Sequence, residues 1–407
     1  MPAITRAALL LSVSLLTAGA ACAQTGAPVR QGAKNAPHFE PAFQNQTRAP
    51  ARDSGIALAV ETLAEGLANP WGIAALPDGG YLVTERAGRL RVLGADGSLS
   101  EPVRGLPEIA VRDQGGLLDV ALGPAFDSDR RIYWTYAKPK DGGYVTAAAR
   151  GVLSEDRSEL TQVEDIFVQE PVSPVAMHFG ARILFDGEGR AFVTTGEHSA
   201  RSERGKAQDL GTTFGKVIRI NPDGSVPQDN PYTGEADAID TIWSLGHRNI
   251  QGADIHPESG ALWTVEHGPR GGDELNIARA GENYGWPVVS YGINYNGSPV
   301  GSGEPRAEGM VEPRYYWDPV IAPGGMVFYD GDMFADWQGD LLISSLNPGA
   351  LVRLRLDGDT VTGEERLLTD QGRIRDLEIA ADGAILALVD AANGKVLRLT
   401  PEAATTE

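Results

Sequence analysis

FGARILFDGEGRAFVTTGE, residues 179–197, is a glycine-led apolar run, an Asp-Gly turn and a second apolar run that ends on a carboxylate. It reads as a β-hairpin. The same plan recurs in WGIAALPDGGYLVTE (71–85), GGLLDVALGPAFDSDRRIYWTYA (115–137), QGADIHPESGALWTVEHG (251–268), GGMVFYDGDMFADWQGDLLISS (324–345) and IRDLEIAADGAILALVD (374–390). Third strands follow, as in GRLRVLGADG (88–97), GKVIRINPDG (215–224), GALVRLRLDG (349–358) and GKVLRLTP (394–401), and then fourth ones such as VEDIFVQE (163–170), TIWSLG (241–246) and EERLLTD (364–370). Six copies of a four-stranded antiparallel unit predict an all-β protein, a six-bladed β-propeller. The last repeat lacks a fourth strand, and ALAVETLAEG (57–66) before the first repeat is free to supply it. Closing the ring in this way removes the exposed edges of an open sheet. A β-sandwich or two smaller barrels also have short strands and frequent turns, but neither requires six copies in register.

Composition agrees. The chain has 407 residues, 50 of them glycine and 26 proline, a turn-dense make-up with few long helices. A net charge of −20 and the lack of any Lys/Arg run argue against nucleic acid as a partner, since binding it needs basic stripes. The same charge repels anionic lipid. Small soluble molecules are the expected partners.

The first residues, MPAITRAALLLSVSLLTAGAACAQ, place Arg6 before a short apolar stretch and the small residues Ala21-Cys22-Ala23. This reads as an export signal over 1–23 rather than a membrane span, and implies a periplasmic or secreted protein. Cys22 is the sole cysteine, so the folded part has no internal disulfide; cleavage or lipidation of Cys22 both remain open. Residues 24–54 are rich in Pro, Gly, Gln and Asn and read as a flexible lead-in, with the propeller over 55–402.

In such a blade the start of the first strand and the end of the second are neighbours on one face, beside the central channel. His178 and Glu197 are therefore expected as hairpin partners at one rim. Gln114, Arg248 with Asn249, and Arg373 with Arg375 stand at the same start position in other repeats, and Arg270 follows the second strand of the fourth. Such arginines suit an anionic ligand held by forked, charge-assisted hydrogen bonds. Blade-to-blade salt bridges are the plainer alternative. A carboxylate that binds one ring nitrogen of a histidine leaves the other free as a general base and stabilises the imidazolium that forms. A turn histidine and a solvated glutamate are the structural alternatives for this pair. His38, His198, His247 and His256 lack metal-ligand spacing and read as loop residues. Dinucleotide, Walker and G-x-S-x-G motifs are absent, which sets aside nicotinamide, ATP and serine-hydrolase chemistry.

The order DQGGLLDV (113–120), MHFGAR (177–182), LGHRNIQG (245–252), EHGPRGGDELN (266–276), GENYGWP (281–287) and RIRD (373–376) resembles the soluble pyrroloquinoline quinone (PQQ) dependent sugar dehydrogenases, in particular the aldose sugar dehydrogenase branch. The resemblance runs from about Gly55 onward and implies a six-bladed propeller. It implies PQQ over the channel mouth with Ca²⁺ at its edge, and His178 as general base towards the anomeric hydroxyl of an aldose that becomes a lactone. Glu197 would orient His178, and Arg248 would stabilise charge developing on the quinone oxygen. Gln114, Arg248, Asn249, Arg373 and Arg375 would hold the cofactor. Backbone carbonyls of Gly268 and Pro269 would meet its Ca²⁺, and Glu274 and Tyr284 a second, structural Ca²⁺; a surface carboxylate and a packed aromatic loop are the alternatives. Asn347 stands where the family commonly has a lysine reaching the cofactor. An external electron acceptor and a monomer or dimer are expected. The rival readings are a calcium-dependent lactonase on the same scaffold and a non-catalytic propeller that binds glycans or protein.

Overall fold

Each of the six hairpins forms, and each begins a separate antiparallel sheet. The computed structural model describes residues 26–402. The expected export signal, with Cys22, lies outside the described residues. Blade one comprises Pro70–Ala75, Tyr81–Glu85 and Arg89–Leu93, and blade two Leu117–Leu122, Arg131–Lys140, Gly143–Leu153 and Leu160–Val168. Blade three is Gly180–Phe185, Ala191–Thr195, Lys216–Ile220 and Ile242–Leu245; blade four is Ile250–Ile255, Leu262–Glu266, Asp273–Ile277 and Tyr315–Trp317. Blade five is Pro323–Phe328, Leu341–Ser345, Ala350–Asp357 and Thr360–Leu367, and blade six is Ile374–Ile379, Ile385–Val389 and Gly394–Pro401.

Leu58–Leu67 pairs antiparallel with Gly394–Pro401 and completes blade six, as the repeat pattern implied. The first strands of successive blades touch one another, and that of blade six touches that of blade one. The ring is closed by its innermost strands. Glycine permits their approach: a Cβ on Gly252 would lie 2.6 Å from Gly324 O of the next blade. Apolar cores fill the gaps between neighbouring blades, as where Trp263, Val265 and Trp317 of blade four meet Met326, Ile343 and Val352 of blade five. Among the described residues no helix is long and apolar enough to cross a membrane.

Blade one is the least regular, its sheet having three full strands; residues 99–103 run along the outer edge beside Arg89–Leu93 through the Leu93–Leu99 bridge and the Ser100 and Val103 N–H groups, which donate to Val92 O and Leu90 O at 2.9 and 2.8 Å. One expectation needs correction. The stretch expected as a flexible lead-in is packed over its later part. Ala36 and Phe39 cluster with Tyr291 and Tyr316, the Asn35 and Ala36 N–H groups donate to Asp318 at 2.8 Å, and Gln46 is fully buried with Nε2 donating to Glu312 Oε2 at 2.9 Å. Its few apolar residues, widely spaced, match one aromatic patch rather than a periodic face.

Candidate active site

Hairpin register carries the polar residues to one mouth of the channel. Gly180 pairs with Thr195, Ile250 with Glu266 and Ile374 with Val389, so the residues just before each first strand and just after each second strand share a rim. They enclose a cavity of about 300 Å³ whose lining includes Gln114, His178, Arg248, Asn249, Arg373 and Arg375. The structure thus brings together six of the predicted residues. Glu197 is fully buried directly behind His178, with Oε2 3.0 Å from His178 Nδ1.

His178 is held in an uncommon backbone conformation, φ 47°, which non-glycine residues adopt at a cost that functional sites tend to carry. Its N–H donates to Gln114 Oε1 at 2.8 Å. Its carbonyl lies against Gly196, where a Cβ would come within 1.9 Å, so the strand that carries Glu197 can approach only through a glycine. Glu197 Oε2 also accepts the Ser199 N–H, while Oε1 has no partner. Burial, and then the Arg248 charge, hold the His178 pKa below its usual value against the opposing pull of Glu197. Burial would raise Glu197, yet His178, Arg248 and the Ser199 N–H together keep it below the ordinary carboxylate range. The result is a neutral imidazole with Nδ1–H on a carboxylate and Nε2 facing the cavity, the arrangement of a general base.

Arg248 is buried to 3% exposure. Glu266 fixes its backbone by accepting the Arg248 N–H at 2.6 Å, and Nη1 donates to His267 O at 2.9 Å. Nε and Nη2 have no partner, two buried donors beside the cavity. Asn249 is committed inward, its Oδ1 accepting the Gly180 N–H at 3.0 Å. Arg373 donates through Nε and Nη2 to Asp390 Oδ2 at 3.1 and 3.0 Å. Arg375 donates to Gln251 Oε1 at 3.0 Å, and burial brings it down to about 10.

The remaining predictions fall elsewhere. Gly268 and Pro269 do not line the cavity, where their neighbour His267 does; the Gly268 N–H donates to Asp273 Oδ1 at 2.8 Å. Arg270 is drawn outward to Asn35. Glu274 and Tyr284 do not line the cavity. Burial, with the Glu266 charge added, pushes Glu274 well above its usual range, and Asn276 Oδ1 beside it is a buried acceptor without a partner. Tyr284 stacks on His247 with ring centroids 4.6 Å apart. Among the described residues no three or more His, Cys, Asp or Glu side chains are grouped to hold a metal ion. Asn347 is exposed, and Leu346 lines the cavity in its stead.

Two histidines expected in loops are fully buried supports. His198 Nδ1 donates to Val175 O at 3.0 Å, and His247 bridges Glu266 and Ser244. His256 has a turn role, as expected, accepting the Glu258 and Ser259 N–H groups at Nδ1. Trp71, Arg86, His267, Tyr295 and Asp390 line the cavity without having been singled out. Below it, Arg182 plugs the channel with Nη1 3.0 Å from both Asp119 and Asp376, under the face of Trp71.

Known proteins share this architecture over most of its length. The family profile described as Glucose / Sorbosone dehydrogenase matches residues 67–398. Aldose sugar dehydrogenase YliI of Escherichia coli is 44% identical over 84% of this chain and 92% of its own length. Quinoprotein glucose dehydrogenase B of Acinetobacter calcoaceticus is 28% identical over 80% of this chain and 83% of its own. The apo crystal structure of the soluble aldose sugar dehydrogenase from Escherichia coli superposes with a TM-score of 0.82 at 42% identity, covering 85% of this chain and all of that one. The PQQ-bound aldose sugar dehydrogenase from Streptomyces coelicolor gives 0.70 at 25% identity, covering 86% and 99%. With a matching profile across the whole ring, and a rim that joins a buried His–Glu pair to unpaired arginine donors, the chain belongs to the glucose/sorbosone dehydrogenase family.

Proposed function

We propose that the protein oxidises aldoses at the anomeric carbon to lactones with PQQ as the immediate acceptor, and passes the electrons to an external acceptor. One observation carries this: the His178–Glu197 pair faces a cavity lined by four guanidiniums, Arg86, Arg248, Arg373 and Arg375, and by one carboxylate, Asp390. In a chain of net charge −20 that excess suits an anionic planar ligand. The partnerless donors of Arg248 and the buried Nε of Arg375 fit the carboxylates and quinone oxygens of PQQ.

When bound, PQQ supplies the two-electron acceptor for the hydride leaving the sugar. His178 Nε2 takes the proton of the anomeric hydroxyl as the carbon–oxygen double bond forms. Glu197 fixes the ring through Nδ1 and balances the imidazolium charge. Arg248 offers Nε and Nη2 to negative charge that develops beside it, from a site already ordered by Glu266. Gln114 holds the His178 backbone, and Arg373 and Arg375 hold the ligand's anionic edge.

Calcium is part of the reading. Glu274 and the orphaned Asn276 oxygen offer the hard oxygen donors that Ca²⁺ prefers, and the Tyr284 carbonyl would join them. For a second ion at the cofactor, the carbonyls of Gly268 and Pro269 are the donors proposed. Export to the periplasm or medium is proposed with it, on the signal-like composition of residues 1–23. The channel centre, where a lactonase would gather carboxylates around a metal, has Asp119 and Asp376 closed on Arg182 instead.

His178→Ala tests the proposal. It should retain PQQ binding and lose turnover by about a hundredfold or more, the scale of general-base catalysis. Unchanged turnover would end the assignment.

A further inference from the structure

In blades one, four and six the residue after the last pair of the inner hairpin lines the cavity. Glu85 pairs with Pro70, Glu266 with Ile250 and Val389 with Ile374. The next residues, Arg86, His267 and Asp390, all line the cavity. Arg86 is tied to the blade-six arginines through its main chain. Its N–H donates to Asn69 O at 3.0 Å, and Asn69 Nδ2 donates to Asp390 Oδ1 at 3.0 Å. Asp390 Oδ2 in turn takes both Arg373 donors and lies 3.6 Å from Arg375 Nη2.

Asp390 is therefore fully engaged by Asn69, Arg373 and Arg375. The Arg86 guanidinium meets no carboxylate within ion-pair distance among the described residues; its Nη1 donates to Asp113 O, next to Gln114. Three guanidiniums thus share one wall, where blades one and six meet, with one counter-ion between them. Arg86 is among the charges that depress Arg375, after burial, Arg373 and Arg182. Such crowding is unfavourable in the free protein and is relieved by an anion.

We propose that Arg86 is a cofactor-holding residue that takes a carboxylate of PQQ on this wall, beside Arg373 and Arg375. The inference rests on the functional reading above. A guanidinium with one nitrogen on a main-chain carbonyl still presents donors in a fixed fork, and a charge-assisted bond to a carboxylate is the strong kind. The alternative role, a tether for the Asp113–Gln114 loop, requires no charge on the ligand.

The two roles separate in a titration of the apo-protein with PQQ, and with PQQ whose carboxylates are esterified, followed by quenching of tryptophan fluorescence; Trp71 lines the same cavity. Arg86→Met should weaken PQQ by about tenfold to a hundredfold and leave the esterified probe as it binds to the unaltered protein, while Arg86→Lys should recover part of the loss. The loss should shrink as salt is added. Equal affinity of Arg86→Met and the unaltered protein for PQQ would overturn the proposal, and so would an equal loss towards acid and ester. Failure of the unaltered protein to bind PQQ would overturn the functional reading itself.

Discussion

Glu197→Gln separates the electrostatic from the structural role of the buried carboxylate. Glutamine is isosteric and can still accept the His178 Nδ1–H and the Ser199 N–H at the Oε2 position. What is lost is the charge. A hydrogen bond to a charged group contributes about 1.5–3 kcal/mol and a neutral one about 0.5–1.5, so the exchange removes about 1–2 kcal/mol from the imidazolium formed during proton abstraction. The full Coulomb term at an effective dielectric constant of 20 and about 4 Å is about 4 kcal/mol and sets the upper limit. Turnover should fall by about fivefold to thirtyfold, and by no more than about a thousandfold. The pH profile adds a second readout. His178 works only when neutral, so kcat/KM falls as pH drops through its pKa, which burial and Arg248 already hold below 6.5. Glu197 is the opposing influence, and its removal lowers that pKa further, by about one unit for each 1.4 kcal/mol lost. The variant should be slower on the plateau yet keep its activity to lower pH. Steady-state kcat/KM with one aldose across the acid range measures both. A slower enzyme with an unmoved acid limb would mean that Glu197 merely buttresses the loop, and the general-base account would fail.

Other consequences are structural. Arg182→Met strands Asp119 and Asp376 in the channel, and breaking a buried pair in this way costs about 3–5 kcal/mol. Burial already raises Asp119 to about 6 against the pull of Arg182, and loss of that pull raises it further, so protonation stabilises the folded variant at a higher pH than the unaltered protein; its Tm deficit should be largest in the alkaline range and narrow as pH falls towards about 6. A deficit independent of pH would contradict this. Lys216 is fully buried with Nζ donating to Lys206 O, Ala207 O and Phe214 O at 2.9, 3.1 and 2.7 Å, and burial lowers it to about 7. Lys216→Met orphans these carbonyls at a cost on the order of 3 kcal/mol. The unaltered protein gains stability as pH rises from about 7 towards the usual lysine range, because its unfolded chain binds the extra proton. The Tm gap to the variant should therefore widen over that interval, and a constant gap would refute the role.

The propeller was legible because its hairpins repeat and each turn carries its own Asp, Gly or Pro chemistry. Counting strands also showed that the ring must be closed by residues near 57–66. The His178–Glu197 pair and the arginines followed from hairpin register, since a start and an end in sequence become one rim in space. Carried one residue further, the same register would have found Arg86, His267 and Asp390. Arg270 resisted because its partner is Asn35, 235 positions away. The packing of residues 26–54 was hidden for the same reason: isolated side chains such as Phe39 and Gln46 fill sites on blade four without any local period. The buried supports His198 and His247 have no sequence signature, because the polar partners that fix them come from other strands.

The most direct test is an anaerobic single turnover. The apo-protein is loaded with equimolar PQQ and excess Ca²⁺, its absorption spectrum is recorded, and one aldose is added without any electron acceptor. The account predicts a bound-quinone band that bleaches to the reduced form with one lactone released per site, and bleaching slower by about a hundredfold or more in His178→Ala despite equal loading. A loaded protein whose spectrum stays unchanged with every aldose offered would contradict it.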